Sequence, residues 1–390
     1  MNRPPPAAPA DIVRPDPGAP RRRKVPALAA PARPELVVDL GALARNWRAL
    51  AARAPTAETA AVVKADAYGC GLAPSARALH AAGARTFFVA QAEEGAALRE
   101  ILGEAPVIHV LNGFSLDDAA TVKARRLSPV LVSLPQISAW LEAFGEDPEA
   151  EACGLHLESG INRMALTSAE LDALRRDPPP GLRVQLLMSH LACADDPDDS
   201  MNGRQRGAFA GRSALARPIA PGARRSLAAT GGVLLGPAFH LDLTRPGVGL
   251  FGGLPFAEAE PVAHLSAPLL QLREIAEGET VGYGASWTAH RPTRLGVLPV
   301  GYADGFFRGV SGARVFLDGR PAPVVGRVSM DMITVDLTDH PAPAPGAMVE
   351  ILGHHQRVDD LAAAAGTIGY EILTSLGDRY RRRWVGGPED

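Results

Sequence analysis

Five polar side chains stand where short apolar segments of the sequence end. Lys64 closes AAVVK, His190 stands near the end of VQLLMSHL, and Arg163, Thr230 and Arg245 follow GLHLE, RRSLAA and FHLDL. A lysine amine forms a Schiff base only in its neutral form, and burial among apolar residues favours that form. If these segments are strands that end at one edge, an amine, an imidazole, two guanidinium groups and a hydroxyl meet there. The spacing therefore predicts an active site.

Each of these residues taken alone also has a purely structural interpretation. Burying the Lys64 ammonium is costly unless it is paired or deprotonated, so a strand-end salt bridge is as good an explanation as a reactive amine. Arg163 can form an ion pair with Glu158, and His190 can be a hydrogen-bonded core histidine. Tyr68 and a glycine-flanked turn at 69–71 follow Lys64 and lead into a helix. The single segments leave both interpretations open.

The elements that would position these residues alternate regularly between residues 60 and 243. Short β-rich segments are separated by Ala/Leu-rich amphipathic stretches, a pattern typical of parallel strands joined by helices. The predicted strands are 60–64, 86–90, 107–111, 129–133, 154–158, 184–191, 224–229 and 239–243. Eight such segments in series predict an α/β fold with a (β/α)₈ TIM-like barrel, whose reactive residues lie at the C-terminal strand ends. An open doubly wound sheet is the alternative.

The pattern changes near residue 262, where β-type segments joined by turn signals begin. RLGVLPVGY, ARVFLDGRPAPVVGRVSM and MITVDL read as strands, and Asp318-Gly319 is a hairpin signal. One helix is predicted over VDDLAAAAGTIGYEILTSLG. We therefore expect a disordered, proline-rich leader over 1–33, a barrel over 34–261 and a mainly β domain over 262–390.

Composition excludes several classes of protein. The chain has 390 residues and a net charge of −3, and its only basic run is Arg21-Arg22-Arg23-Lys24, so a nucleic-acid partner is not expected. Cys70, Cys153 and Cys193 form no CxxC pair, which argues against a disulfide framework and a metal site. No apolar run reaches membrane-spanning length, and the leader lacks the apolar core of a secretion signal. A cytoplasmic location is predicted.

The segment VVKADAYGCG resembles the pyridoxal-lysine signature of alanine racemases. Further segments agree in order between residues 35 and 385: SGINRM, SHLACAD, SLAATGGVLLGP, DLTRPGVGLFG, GYGASW, GYADGF, GRVSMDM and TIGYEIL. The resemblance implies a barrel followed by a β domain, with residues 35–40 joining the latter. It also implies pyridoxal 5′-phosphate as cofactor, a small amino acid as substrate, and a homodimer whose active sites are shared between subunits.

The resemblance assigns the catalytic roles. Lys64 matches the lysine that carries the cofactor and removes the Cα proton on one face of the substrate. Tyr283, in GYGASW, matches the base on the opposite face, supplied by the partner subunit. Since a phenol has a pKa near 10, it needs help to act as a base, and His190 and Arg245 match the residues that give it. An arginine beside the pyridine nitrogen keeps its proton, so the cofactor is a weaker electron sink, which suits racemisation.

The binding residues follow from the same resemblance. Arg163 matches the arginine that reaches the cofactor's phenolic oxygen and the substrate carboxylate. Met330 and Asp331 of the partner complete the carboxylate site, and Tyr302 narrows the entrance. The implied phosphate contacts are Tyr68, Thr230, Gly247, Val248 and Tyr370.

The sequence departs from the family pattern at several positions. Ala229-Thr230 replaces the usual Asn-Ser, which keeps the hydroxyl but loses an amide. His156 stands where some relatives have a carbamylated lysine that holds the arginine, so Arg163 must be oriented otherwise, with Glu158 as one candidate. Ser329 takes a position that is often cysteine.

Three other functions remain open. A broader or serine-preferring racemase would use the same two bases, because an apolar pocket discriminates weakly against one hydroxyl. A non-catalytic pyridoxal-phosphate-binding barrel would lack the C-terminal β domain. A decarboxylase with the same two domains would need the cofactor to be a stronger electron sink. Arg245 argues against this, because an arginine beside the ring nitrogen weakens the sink.

Overall fold

The computed structural model describes residues 33–344 and 346–388. Apart from Arg33, the predicted disordered leader lies outside the described residues. The strands are β1 Glu35–Asp39, β2 Glu58–Thr59, β3 Ala61–Val62, β4 Thr86–Val89, β5 Val107–Val110, β6 Ser128–Leu131, β7 Cys153–His156, β8 Val184–Met188, β9 Arg224–Ser226, β10 Leu243–Thr244, β11 Ala263–Pro268, β12 Gln271–Ile275, β13 Thr280–Val281, β14 Trp287–Thr288, β15 Thr293–Leu298, β16 Arg314–Leu317, β17 Arg320–Val325, β18 Ile333–Asp336, β19 Met348–Leu352 and β20 Arg381–Val385.

Twelve helical segments and four short 3₁₀ turns are found in the described part of the chain. The helices are α1 Leu40–Arg53, α2 Lys64–Tyr68, α3 Leu72–Ala82, α4 Ala92–Leu102, α5 Ala119–Ala124, α6 Leu134–Phe144, α7 Ser168–Arg176, α8 Ser200–Ala216, α9 Thr230–Leu234, α10 Pro237–His240, α11 Val358–Ala365 and α12 Gly369–Thr374. The 3₁₀ turns are Leu116–Asp118, Val248–Phe251, Tyr283–Ala285 and Tyr302–Asp304. None of the described helices is long and apolar enough to cross a membrane.

Strands β3 to β9 form a parallel sheet in which each strand lies beside the next one in the sequence. Strand β10 closes the gap between its two edges: Ala60 N–H donates to Thr244 C=O at 2.9 Å on one side, and Arg245 N–H donates to Ala228 C=O at 2.8 Å on the other. The sequential order and the closure confirm the predicted barrel and exclude a doubly wound sheet, whose strand order reverses.

The apolar strand segments reflect burial on both sides. All four residues of β4 are buried, and Phe87 and Phe88 are fully so. One set of side chains fills the barrel and the other packs under the surrounding helices, so a barrel strand is apolar throughout rather than alternating. Helix α1 shows the complementary pattern, since Leu43, Trp47 and Leu50 lie on one buried stripe.

Two predictions about single elements are wrong. In the predicted strand 239–243 only Leu243 is extended, because Pro237 opens a short helix that runs to His240. The single late helix is two helices, α11 and α12, since Gly366 at φ 70° ends the first in a left-handed cap. A short apolar run does not distinguish a strand from a helical turn by its periodicity.

The strands after residue 262 form most of a nine-stranded sheet in the order β12-β15-β18-β17-β16-β19-β11-β1-β20. Strand β1 lies in this sheet, antiparallel to β11 and parallel to β20. The hairpin predicted at Asp318-Gly319 is confirmed, because Leu317 pairs with Arg320 and both turn residues have positive φ. The last strand of the chain therefore lies beside the first, close to the barrel.

Candidate active site

Lys64 stands at the C-terminal end of β3 and begins a helical turn of unusual hand. The next four residues, Ala65 to Tyr68, all have φ between 51° and 54°. A left-handed turn costs roughly 1–2 kcal/mol for each residue with a Cβ, because the Cβ crowds the following carbonyl. Strain of this kind persists only where neighbouring groups hold it, and it is concentrated at functional sites.

Side chains from distant parts of the chain hold this turn. Ala65 N–H donates to Glu94 Oε1 at 2.7 Å, and Leu72 N–H donates to Asp66 Oδ1 at 2.7 Å. From β20, Arg382 Nη1 donates to Gly69 C=O at 2.6 Å and Trp384 Nε1 donates to Cys70 C=O at 2.8 Å. The backbone around Lys64 is therefore fixed from both the barrel and the C-terminal strand.

The Lys64 amine is half-buried and lies near one guanidinium and one carboxylate. Burial lowers the pKa of Lys64, the charge of Arg163 lowers it further, and Glu94 acts in the opposite direction. The neutral amine, which is the nucleophilic and basic form, is therefore favoured compared with a lysine in water. Lys64 lines a cavity of about 360 Å³ together with Ala65, Tyr68, Thr367, Ile368, Tyr370, Glu371 and Thr374.

Arg245 is almost fully buried at the end of β10. Its Nη2 donates to Ser189 C=O at 2.7 Å, its Nη1 donates to Ser226 Oγ, and the guanidinium lies 5.9 Å from the centre of the Phe88 ring. Burial lowers the pKa of Arg245 to about 9, so it is still charged at neutral pH. No carboxylate within 4.0 Å neutralises it in the described residues, which leaves a buried positive charge available to an anion or a ring nitrogen.

His190 is a neutral neighbour of these cations. Burial, then the charges of Arg245 and Arg163, lower the pKa of His190 to about 3, with smaller effects from His156 and Lys64. These five residues also stand at or after the C-terminal ends of barrel strands, so they lie around one mouth of the barrel. At neutral pH the imidazole can accept a hydrogen bond without adding charge.

Thr230 and Gly247 lie together at the next strand ends. Thr230 Oγ1 accepts hydrogen bonds from Gly247 N–H at 3.1 Å and Gly249 N–H at 3.3 Å. A Cβ at residue 247 would lie 2.3 Å from the Tyr68 hydroxyl, so only glycine fits. Val248 opens the 3₁₀ turn that follows, and the Tyr68 and Tyr370 rings are 6.0 Å apart. The structure thus brings the predicted phosphate contacts together.

The two tyrosines of this cradle are suited to hold an anion. Burial raises the pKa of Tyr370 to about 12, and burial also raises the pKa of Tyr68. Both phenols therefore keep their protons and can donate hydrogen bonds. With an amine, a buried arginine and a cradle of hydroxyl groups around one mouth, the residues present fit pyridoxal phosphate. No cluster of three or more His, Cys, Asp or Glu side chains able to hold a metal occurs in residues 33–344 and 346–388.

Arg163 is exposed beside a cavity of about 440 Å³ that Glu158 and Asn162 also line. The suggested pairing of Arg163 with Glu158 is not observed. Glu158 Oε1 instead accepts hydrogen bonds from the backbone N–H groups of Gly160 and Asn162. His156 is buried, and its Nε2 has no hydrogen-bond partner among the described residues; burial and Arg245 lower its pKa to about 4.

The remaining predicted residues lie on the surface of the C-terminal domain. Tyr283 is 67% exposed, and its hydroxyl forms no hydrogen bond within the described chain. Tyr302 and Met330 lie together, because Tyr302 N–H donates to Ser329 C=O and Ala303 N–H donates to Met330 C=O. Asp331 forms an ion pair with Arg379 at 2.7 Å. No hydrogen bond or ion pair among the described residues joins these side chains to the group at the barrel mouth.

Sequence reasoning missed the residues that support Lys64. Glu94 carries a weak signal, since a glutamate in the first turn of a helix that follows a strand is typical of a cap. Arg382 and Trp384 carry none, because they are more than 300 residues away from the turn they hold.

Comparison with known proteins agrees with this geometry. A sequence model described as the alanine racemase N-terminal domain matches residues 38–255, and one described as the C-terminal domain matches residues 262–384. An alanine racemase of Cereibacter sphaeroides is 50% identical over 355 residues, which cover 90% of this chain and 97% of that protein. The chain belongs to the alanine racemase family. The family resemblance predicted from VVKADAYGCG is confirmed.

Solved structures of the family have the same architecture. The alanine racemase of Bartonella henselae, described as having covalently bound pyridoxal phosphate, superposes with a TM-score of 0.86 at 36% identity and covers 91% of this chain and all of its own. The biosynthetic alanine racemase of Pseudomonas aeruginosa gives a TM-score of 0.85 at 38% identity, over 91% of this chain and 99% of its own. A barrel-only cofactor carrier is not favoured, since the match includes the C-terminal domain.

Proposed function

We propose that the protein interconverts L-alanine and D-alanine with pyridoxal 5′-phosphate attached to Lys64. The observation that carries the proposal is the half-buried Lys64 amine, whose pKa is lowered by burial and by Arg163, at a mouth that also holds His190 and Arg245. Its relatives of about 50% identity are named alanine racemases, and one solved relative contains covalently bound pyridoxal phosphate.

When bound, pyridoxal phosphate withdraws electrons from the substrate and makes its Cα proton removable. The phosphate would be held by the hydroxyl groups of Tyr68, Thr230 and Tyr370, with the backbone of Gly247 and Val248 lining the same cradle. Arg245 would stand beside the ring nitrogen as a hydrogen-bond donor and would keep its own proton, because its pKa of about 9 exceeds neutral pH.

The two bases act on opposite faces of the substrate. Lys64 removes the Cα proton on one face through its neutral Nζ. Tyr283 of the partner subunit removes or returns the proton on the other face, with help from His190 and Arg245. Arg163, with Met330 and Asp331 of the partner subunit, binds the substrate carboxylate, and Tyr302 narrows the entrance so that alanine is preferred.

The shared site requires a homodimer. Tyr283, Tyr302, Met330 and Met332 are all at least 40% exposed on the C-terminal domain. A group of exposed tyrosine and methionine side chains is typical of a surface that another protein covers. We infer that the mouth of a second copy covers it, which supplies each Lys64 with a Tyr283.

We infer a division between a barrel over 34–261 and a β domain over 262–390, with strand β1 in the sheet of the latter. The protein acts in the cytoplasm, without nucleic-acid or membrane partners. It supplies D-alanine to cell-wall synthesis or serves alanine catabolism.

Incubation with single L-amino acids in D₂O tests the proposed activity. L-Alanine is expected to yield the D-isomer with deuterium at Cα, while L-serine reacts more slowly. Treatment with borohydride and peptide mapping is expected to find the cofactor on Lys64. A protein that forms no D-alanine, or that holds the cofactor on another residue, would contradict the proposal.

A further inference from the structure

The Glu94 side chain, in the first turn of α4, contacts the backbone directly beside Lys64. Its Oε1 accepts the Ala65 N–H at 2.7 Å, while its Oε2 accepts the N–H groups of Ala90 at 2.7 Å and Gln91 at 3.2 Å. Ala65 follows Lys64 at the end of β3, and Ala90 follows β4. One carboxylate therefore ties together the C-terminal ends of two adjacent barrel strands.

The contact with Ala65 is made at the start of the left-handed turn. Ala65 is the first of four consecutive residues with positive φ, and Glu94 is the acceptor of its N–H. The two ends of the turn are held differently, because β20 holds the carbonyl groups of Gly69 and Cys70. Glu94 thus fixes the peptide that sets the direction in which the Lys64 side chain leaves the strand.

The Glu94 carboxylate also acts on Lys64 through its charge. Burial and Arg163 lower the pKa of Lys64, whereas Glu94 raises it. The side chain of Glu94 is half-buried, so its field is only partly screened by water. It therefore moderates the effect of the nearby Arg163 on the amine.

We propose that Glu94 is a positioning residue for Lys64, which fixes where the amine stands at the barrel mouth and offsets the positive charge of Arg163 on it. The inference rests on the proposed function, in which Lys64 carries the cofactor and moves the Cα proton. Glu94 acts on Lys64 through the neighbouring backbone and through its own charge, and it does not touch the substrate.

Three variants of the full chain test this role. Glu94→Gln removes the charge and puts an amide donor against one of the backbone N–H groups. Glu94→Asp keeps the charge but is one methylene too short to span both strand ends. Glu93→Gln is the matched control, because Glu93 is exposed in the same helical turn and forms no hydrogen bond or ion pair in the described chain.

The measurement is the rate at which apoenzyme captures pyridoxal phosphate, followed by visible absorbance across pH. Only the neutral Lys64 amine attacks the aldehyde, so the midpoint of the profile reports its ionisation. For Glu94→Gln we expect capture to slow by roughly tenfold, because the amine is misplaced. Its midpoint should also move to lower pH by at least about 0.3 units, a twofold change in the ionisation constant. Glu94→Asp should slow capture while the midpoint stays within about 0.1 units.

Each result supports or overturns the inference. A Glu94→Gln profile equal to that of Glu93→Gln, or a midpoint that moves to higher pH, overturns it. If thermal melting shows that Glu94→Gln is unfolded, Glu94→Asp decides, and capture at the wild-type rate overturns the inference. If the wild-type apoenzyme captures no cofactor on Lys64, as peptide mapping after borohydride would show, the proposed function fails instead.

Discussion

The barrel mouth and the exposed face of the C-terminal domain differ in how completely one chain builds them. At the mouth, Arg245 is 3% exposed. Its guanidinium donates hydrogen bonds to Ser189 C=O and Ser226 Oγ, at the ends of neighbouring strands. On the face, Tyr283 is 67% exposed, and its hydroxyl has no partner in the described chain. The mouth is therefore positioned by the fold of one chain, whereas the Tyr283 hydroxyl on the face has no hydrogen-bonded position in the described chain.

The barrel mouth and the exposed face also differ in the charge state of their side chains. Burial at the mouth favours the neutral forms of Lys64 and His190 and leaves Arg245 as a buried cation. The acidic side chain of the face, Asp331, is already paired with Arg379. In the proposed dimer, the mouth would hold the cofactor and one base, while the face would contribute side chains to the partner's site.

Replacing Lys64 is expected to have the largest effect, because it removes both the cofactor attachment and one base. Lys64→Ala should lose at least about 10⁴-fold in alanine racemisation. The protein should still fold, since the lysine is half-buried and the strained turn is held by other side chains. Activity assays with added pyridoxal phosphate and thermal melting check this. An active Lys64→Ala variant would contradict the role of the barrel mouth as the source of the cofactor lysine and of one base.

Tyr283→Phe is expected to have a large effect of a different kind. It should slow Cα-proton removal from one enantiomer by about 10²–10⁴-fold and leave the other enantiomer much less affected. Stability and cofactor binding should not change, because the hydroxyl has no partner within the chain. Deuterium incorporation from D₂O into each enantiomer in a single turnover measures the asymmetry. Equal slowing of both exchanges would contradict a two-base assignment.

The pH dependence of stability distinguishes the mouth from the surface. The pKa of His156 is about 4 in the folded chain, compared with about 6.5 when unfolded. As pH falls below 6.5, the unfolded state binds a proton that the folded state does not, so stability is lost between pH 6.5 and 4. From pH 7 to pH 5 this loss is about 2 kcal/mol for His156. In urea unfolding, His156→Gln should therefore lose about 2 kcal/mol less of its free energy of unfolding between pH 7 and pH 5 than the wild type does. The control His290→Gln, at an exposed position, should lose as much as the wild type.

The smallest expected effect concerns the C-terminal strand that supports the mouth. Trp384→Phe keeps the ring beside Gly71 but removes the hydrogen bond to Cys70 C=O. The free energy of unfolding should fall by about 1 kcal/mol, and the cofactor should dissociate faster. Trp287→Phe is the matched control, because the Trp287 indole donates no hydrogen bond in the described chain. Equal behaviour of the two variants would show that β20 does not support the Lys64 turn.

The sequence predicted the barrel because its strands are buried on both sides. Segments such as TFFV have no polar alternation, and their order alone places Lys64, His190 and Arg245 at one end. The local errors occurred where an apolar run was short: Pro237 turned part of a predicted strand into a helix, and Gly366 divided a predicted helix.

Other features could not be predicted from the local pattern. The left-handed turn after Lys64 consists of ordinary residues, and its support by Arg382 and Trp384 depends on contacts between opposite ends of the chain. The resemblance supplied the role of Tyr283. Its exposure within one chain follows only from the structure.

Mixing two inactive variants tests most directly the claim that mouth and face belong to different subunits of one site. Lys64→Ala and Tyr283→Phe subunits, dissociated and reassociated in equal amounts, should form heterodimers with one intact site. Random pairing predicts about a quarter of wild-type activity, because half of the dimers carry one working site of two. Activity no greater than that of the separate variants, with heterodimers present, would contradict the account.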